Sequence, residues 1–241
     1  MGSTTVLSSV FRSLNAVFAV VVAVAATQTF GDSNRAKLWT VIITSSVVVL
    51  FETLVIWLPK HSVAARRLLD SRSKFAGSWL QDVVKSHGRG VEQNPNRFAI
   101  FTVVYSKPTD NYVVEGTAYT DAGIEHARWK STDVVHFSRD GMSMTYEWKG
   151  PVTNQTFQDK SADRSGFSRL TLTDEDGGTA RVDHVHLDIS LEINIDRITT
   201  KWLAKKHLGE FTPDSLQIPS ERDRFATVLA PRRARARAQA G

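Results

Sequence analysis

The chain has 241 residues, no cysteine and a formal net charge of +5. Its charged side chains are unevenly distributed, because residues 1–58 contain only five Asp, Glu, Lys or Arg. This division excludes a uniformly globular protein, and the lack of cysteine excludes a disulfide scaffold, a Cys-ligated zinc site and a Cys nucleophile. Four of the arginines lie in the last ten residues. The basic balance therefore does not indicate a folded surface that binds DNA or RNA.

Residues 14–30 form an Ala/Val-rich apolar run and predict a first transmembrane helix. A rival interpretation remains open: Arg12, this run and Ala23-Val24-Ala25 also resemble a secretory signal with its cleavage site. The loop 31–37 leads directly into a second apolar run, which favours a transmembrane hairpin over cleavage.

Residues 38–58 predict the second transmembrane helix. At 1.5 Å per residue this run is about 31 Å long, close to the hydrocarbon thickness of a bilayer. Trp39 and Trp57 lie near its ends, where indole rings prefer the membrane interface. Glu52 has two open interpretations, a pore or oligomer contact or a side chain that reaches the headgroups.

Residues 59–74 form a juxtamembrane connector that is more basic than the loop 31–37. The positive-inside rule therefore places the N-terminus and the large C-terminal part in the cytoplasm. The basic residues compared are Lys60, Arg66, Arg67, Arg72 and Lys74 in the connector, against Arg35 and Lys37 in the loop.

From Phe75 onward the apolar residues alternate with period two, which predicts strands. Turn sequences such as Asp121-Ala-Gly123 and Arg139-Asp-Gly141 separate them. An antiparallel meander of about eight strands predicts a lipocalin-like barrel within residues 75–212. The predicted strands are 75–84, 97–106, 111–121, 124–137, 142–149, 152–158, 167–173 and 179–190.

Two short helices are predicted after the strands. The first covers 199–208 and ends at Gly209, and the second covers 219–229 with Ser220 as its cap. The C-terminal segment 213–241 ends in a Pro/Ala/Arg tail, which predicts a solvated or lipid-touching end.

Gly77-Ser78-Trp79 opens the first strand, and a Gly-x-Trp at this place is common in small ligand-binding barrels. The indole there closes one end of the barrel, and Arg197 is predicted to stack on it.

Five residues are predicted to bind a planar, polar ligand. Aromatic side chains supply stacking faces, hydroxyls supply hydrogen bonds, and arginine is suited to clamp a phosphate. Gly116 and Ala118, if they face inward, leave room for that ligand. Strand parity alone does not establish which face is inside. The predicted ligand-binding residues are Tyr119, Arg128, Trp129, Ser131 and Tyr146.

His184 and His186 lie on one strand face and suit a transition metal, but no third ligand is evident and no metal site is predicted. A hydrolase that uses His184, His186 and Asp188 lacks a nucleophile in a recognisable setting. The sequence contains no phosphate-binding loop, Gly-x-Ser-x-Gly or His-Glu-x-x-His. The chain is therefore predicted not to be an enzyme and to need no cofactor.

The sequence combines the two predicted N-terminal spans with the motifs Gly77-Ser-Trp79, Glu115-Gly-Thr-Ala-Tyr119 and Arg128-Trp-Lys-Ser131. In these features the chain resembles the SMODS-associated two-transmembrane, β-strand-rich effectors of bacterial CBASS anti-phage defence. The resemblance covers nearly the whole chain in architecture, although each motif is short. The Arg-rich tail is not a feature expected of that family.

The resemblance implies a multi-pass protein of the inner membrane whose barrel binds a cyclic dinucleotide. The functional partner is a cyclic-oligonucleotide synthase, and ligand binding drives self-association, membrane disruption and abortive infection. The alternative is a membrane-tethered barrel that binds a lipid or another small molecule and does not respond to nucleotides.

Overall fold

In a computed structural model, residues 16, 19–25, 28, 34–87, 98–132, 134–151, 163–174, 178–186 and 189–239 are described. They separate into two compact units, Met1–Ser73 and Lys74–Gly241.

The first unit is helical. Helix α1 spans Asn34–His61 and helix α2 spans Val63–Leu69, followed by a short 3-10 helix at Ser71–Phe75. Among the described residues, one helical segment is long and apolar enough to cross a membrane, Val41–His61, and none of it is buried within the protein. Residues 19–25 of the first predicted span are also helical, but most of the remainder of 14–30 lies outside the described residues. The two-span hairpin therefore stays a prediction.

The second unit is a closed, antiparallel barrel of eight strands, which confirms the predicted fold class. Each strand pairs with the next along the sheet, and β4 pairs with β6 to close it. The two-residue strand β5 is added at the edge of β6. The strands are β1 Gly77–His87, β2 Phe98–Ser106, β3 Asn111–Tyr119, β4 Glu125–Ser131, β5 His136–Phe137, β6 Ser143–Pro151, β7 Asp163–Leu172, β8 Thr179–His186 and β9 Ile189–Ile198.

Two strand predictions need correction. The predicted strand 124–137 is two strands, β4 and β5, and 179–190 runs into a second strand, β9, which the sequence reading missed. Ile193 and Ile195 face the core while Asn194 and Asp196 are exposed, so the alternation that marks β9 was present. The predicted strand 152–158 lies outside the described residues and stays a prediction.

The barrel has hydrophobic clusters on both faces of its β1–β3 sheet. The inner cluster includes Trp79, Phe101 and Tyr112. The outer cluster joins Ile100 and Tyr119 to the C-terminal helices. Strand β2 is accordingly buried on both faces over most of its length, which is typical of a strand covered on both sides.

Helix α3 spans Thr200–Lys205 and helix α4 spans Pro219–Ala238, with a 3-10 turn at Ser215–Gln217 between them. The predicted ends of both helices were wrong. Helix α3 ends four residues before Gly209, and His207 adopts the left-handed conformation (φ +56°) just beyond its end. Helix α4 begins with Pro219 and continues through the predicted tail.

The first two arginines of the predicted solvated or lipid-touching tail contact the folded domain, although Arg232 stays exposed. Arg232 donates to the carbonyl oxygens of Lys206 and His207, at 2.7 Å each. Arg233 forms a bidentate ion pair with Asp82, and its guanidinium lies 4.7 Å from the ring centre of Phe98. The tail therefore begins as a helix held against the barrel.

Candidate functional site: an aromatic recess at one end of the barrel

One end of the barrel is closed by Trp79 and Arg197, as the sequence predicted. These residues are cross-strand neighbours on β1 and β9, and the Arg197 guanidinium lies 4.6 Å from the centre of the fully buried indole. Trp79 Nε1 donates to the carbonyl oxygen of Phe75 at 3.0 Å, and Arg197 donates to the carbonyl of Lys74. With its polar groups bonded in this way, this end of the barrel is structural.

The opposite end also has several inward-facing side chains that remain partly accessible. Side chains alternate along a strand, so residues an even number of positions from Trp79, Gly116 or Leu170 also point inward on β1, β3 and β7. On β4 the inward face is that of Trp129, which pairs with Gly116. Half-buried residues on inward-facing positions indicate an opening, which we call the recess. Its half-buried residues are Gln81, Ala118, Ala127, Trp129 and His184.

A polar and aromatic wall lines the recess. Ser168 Oγ and His184 Nδ1 lie 2.8 Å apart, and the imidazole stacks on Trp148 with ring centres 4.8 Å apart and planes 17° apart. Tyr146 hydrogen-bonds Ser168, and burial raises the pKa of the Tyr146 phenol to about 12, so the hydroxyl stays protonated. In this wall the His184 ring is half-buried, whereas Tyr146, Trp148 and Ser168 are buried around it.

Two glycines give the indoles room to lie across the barrel wall. A Cβ on Gly116 would lie 2.2 Å from the Trp129 indole, and one on Gly166 would lie 2.7 Å from the Trp148 indole. The space that Gly116 was expected to leave for a ligand is therefore occupied by Trp129 itself. The stacking surface, rather than an empty volume, is what Gly116 provides.

The five predicted ligand-binding residues lie on two faces of the barrel. Trp129, Ser131 and Tyr146 point inward, and of these Trp129 and Tyr146 line the recess. Ser131 Oγ accepts a hydrogen bond from Val114 N at 3.1 Å, near the β4–β6 pairing. The Ser131 hydroxyl therefore already links β4 to β3. Tyr119 and Arg128 point outward, and the five residues do not form one site.

Tyr119 and Arg128 contact helix α4 instead. The Tyr119 hydroxyl donates to Asp223 Oδ1 at 2.8 Å, and Arg128 donates to Asp223 Oδ2 at 3.1 Å and to Glu125. Burial, and then the neighbouring Asp223 carboxylate, raises the pKa of Tyr119. These contacts fasten α4 to the outer face of β3 and β4.

Arg222, the residue before Asp223 on α4, is almost completely buried. It donates to Thr102 Oγ1 and to the carbonyl of Glu115, both at 3.3 Å, and burial lowers its pKa. A buried guanidinium that donates to two strands fixes the position of the helix.

Sequence reasoning missed Trp148, Ser168 and His184 as recess residues. A signal existed for Trp148, which lies two positions after Tyr146 and therefore shares its face. For His184 the sequence allows a metal ligand, a catalytic residue, a ligand contact or an outward-pointing polar residue, and it does not select among them. The described residues contain no group of three or more His, Cys, Asp or Glu that could hold a metal ion.

No family model and no curated protein matches the chain. Among solved structures, a "biogenic amine-binding protein" is similar at 13% identity with a TM-score of 0.38, covering 58% of this chain and 76% of that one. The isotype 1 transferrin-binding protein B of serogroup B Neisseria meningitidis is similar at 12% identity with a TM-score of 0.30, covering 51% of this chain and 25% of that one.

Proposed function

We propose that the chain is a membrane-tethered receptor whose recess binds a planar, polar small molecule, and that the molecule is the cyclic dinucleotide of an anti-phage signalling system. The observation that carries the proposal is that Trp129 and His184 face into the barrel and yet stay half-buried. Inward-facing aromatic rings that remain accessible are what a stacking ligand needs.

Stacking supplies the affinity in this proposal. A base stacked on an aromatic side chain contributes about 1–3 kcal/mol. The Trp148–His184 stack and the Trp129 indole offer ring faces on the strands β4, β6 and β8. Ring stacking is therefore the main contact by which the site recognises the ligand.

Arg128 does not bind the ligand's phosphates, because its side chain lies on the outside of the barrel. Among inward-facing residues at this end whose side chains the structure describes, none is a lysine or an arginine. Among the described groups at this end, the half-buried His184 imidazole is suited to bond phosphate oxygens, whereas the hydroxyls of Ser168 and Tyr146 are buried and bonded within the wall.

The same polar groups favour a nucleotide over the fatty acid of the alternative function. A lipid needs an apolar wall, whereas the half-buried His184 imidazole presents a polar surface here. A lipid ligand therefore fits this part of the wall less well.

Ligand binding has an effect only if the ligand binds the associated chains more tightly than the separate ones. A ligand shifts an equilibrium only by its difference in affinity for the two states. In this proposal the ligand-bound barrels associate, which concentrates the apolar helices represented by Val41–His61 and disrupts the inner membrane. The chain then acts downstream of a cyclic-oligonucleotide synthase and catalyses nothing itself.

Titration of the full chain in lipid nanodiscs with a panel of cyclic dinucleotides tests the proposal, with tryptophan fluorescence as the signal. We expect Trp129→Ala and His184→Ala to weaken binding at least tenfold. Arg128→Gln, on the outer face, is the matched control and should bind normally. Saturable binding of a fatty acid with no response to any cyclic dinucleotide would contradict the proposal and favour the alternative.

A further inference from the structure

The helical backbone is interrupted at Ser62, immediately after the apolar helix α1. Ser62 is the only non-helical residue between α1 and α2, and its extended backbone (φ −120°, ψ 122°) begins the new helix, with its hydroxyl accepting from Ala65 N. Arg66 Nε donates to the carbonyl of Pro59 at 2.9 Å. Helix α2 is thus fastened to the last turn of α1 by a side chain as well as by the backbone.

Helix α2 presents an exposed face that is largely apolar. Val63 is 60% exposed and Leu68 is 85% exposed, and Ala64 and Arg67 are exposed with them. Positions i, i+1, i+4 and i+5 lie on one side of a helix. The rest of the helix is half-buried. Two large apolar side chains, Val63 and Leu68, therefore share one exposed face of α2.

Several basic residues lie close in sequence to this apolar face. Between residues 59 and 73 the basic side chains are Lys60, Arg66, Arg67 and Arg72, and the one carboxylate is Asp70. Asp70 is already bonded to Arg72 at 2.8 Å. A short apolar face with cations beside it is complementary to the headgroup region of an anionic lipid leaflet.

We propose that α2 lies on the membrane surface as an anionic-lipid-binding element. Val63 and Leu68 enter the boundary between headgroups and acyl chains, and Arg67 and Lys60 meet the lipid phosphates. Continuity with Val41–His61 selects the membrane over a second protein as the occupant, because α2 begins within two residues of the end of that span. The proposal rests on the membrane insertion of α1 in the proposed function.

The test uses the natural lack of cysteine. Leu68→Cys gives a single labelling site for a spin label in the full chain. Thr109→Cys, in an exposed turn of the barrel, is the matched control. Each labelled chain is reconstituted into phosphatidylcholine vesicles with and without about 30 mol% phosphatidylglycerol. Contact of the label with oxygen and with a water-soluble nickel quencher separates membrane-inserted from water-exposed populations.

We expect the label at position 68 to be membrane-inserted in the anionic vesicles and largely water-exposed in the neutral ones, while the label at 109 stays in water in both. Arg67→Gln should lower the ratio of inserted to exposed label about fivefold, which corresponds to about 1 kcal/mol for one cation near a charged leaflet.

A water-exposed label at 68 in anionic vesicles would overturn the inference. So would a label that is shielded from both oxygen and the nickel quencher, because protein would then be covering the face. Vesicle flotation of the same samples separates the two proposals. A chain that floats with a water-exposed label refutes this inference alone, and a chain that does not float refutes the insertion of α1 as well.

Discussion

Tyr119→Phe tests whether this residue fastens helix α4 or binds ligand. The substitution removes only the oxygen, and the ring can keep its place against Phe98, whose ring centre is 5.4 Å away. A hydrogen bond to a charged acceptor contributes about 1.5–3 kcal/mol. The Asp223 side chain is 38% exposed, so water partly replaces the lost donor. We expect the free energy of unfolding to fall by about 1–2 kcal/mol.

Chemical denaturation followed by tryptophan fluorescence measures this loss, with Asp223→Ala and the double variant completing a thermodynamic cycle. The two substitutions should show a coupling of about 1 kcal/mol, because they remove the two ends of one contact. Ligand affinity should not change. A loss of stability under about 0.5 kcal/mol together with a tenfold loss of ligand affinity would refute the structural role of Tyr119.

Three further predictions concern the inside of the barrel. Trp79→Ala should cost about 3–5 kcal/mol in chemical denaturation, as a fully buried indole is lost and the Phe75 carbonyl loses its donor; a loss under about 2 kcal/mol would contradict its role in closing the barrel. The raised pKa of Tyr146 means that the unfolded chain loses this proton first, so stability is full below pH 10 and falls above it. Between pH 9 and 11, Tyr146→Phe should remove about 1 kcal/mol of this decline, and identical pH profiles would contradict the assignment. Gly116→Val should push the Trp129 indole aside and abolish ligand binding; unchanged binding would place the ligand elsewhere.

The sequence was sufficient to predict a barrel, because alternation and turn sequences are local signals. The limits of β2 and the start of β3 were close to those observed, and the stacking of Arg197 on Trp79 was predicted from the Gly-x-Trp sequence that is common in small ligand-binding barrels. The closure between β4 and β6 joins few residues and leaves no comparable mark in the sequence.

The composition of the site was harder to predict, because strand β3 is buried on both of its faces. Val114 faces the interior and Tyr119 lies under α4, yet both are fully buried and apolar or aromatic. Parity then relates residues to one another without stating which face is inside. The decisive contact, Tyr119 to Asp223, joins residues 104 positions apart.

The position of the ligand is the most direct test of the account. An azido-substituted cyclic dinucleotide can be cross-linked by light to the full chain in lipid nanodiscs, and the modified peptides identified by mass spectrometry. We predict adducts on the inward-facing residues of β4, β6 and β8, centred on Trp129, Trp148 and His184, that competition with unmodified ligand removes. Adducts confined to Arg128 and helix α4 on the outer face, or none that competition removes, would contradict a receptor site inside the barrel.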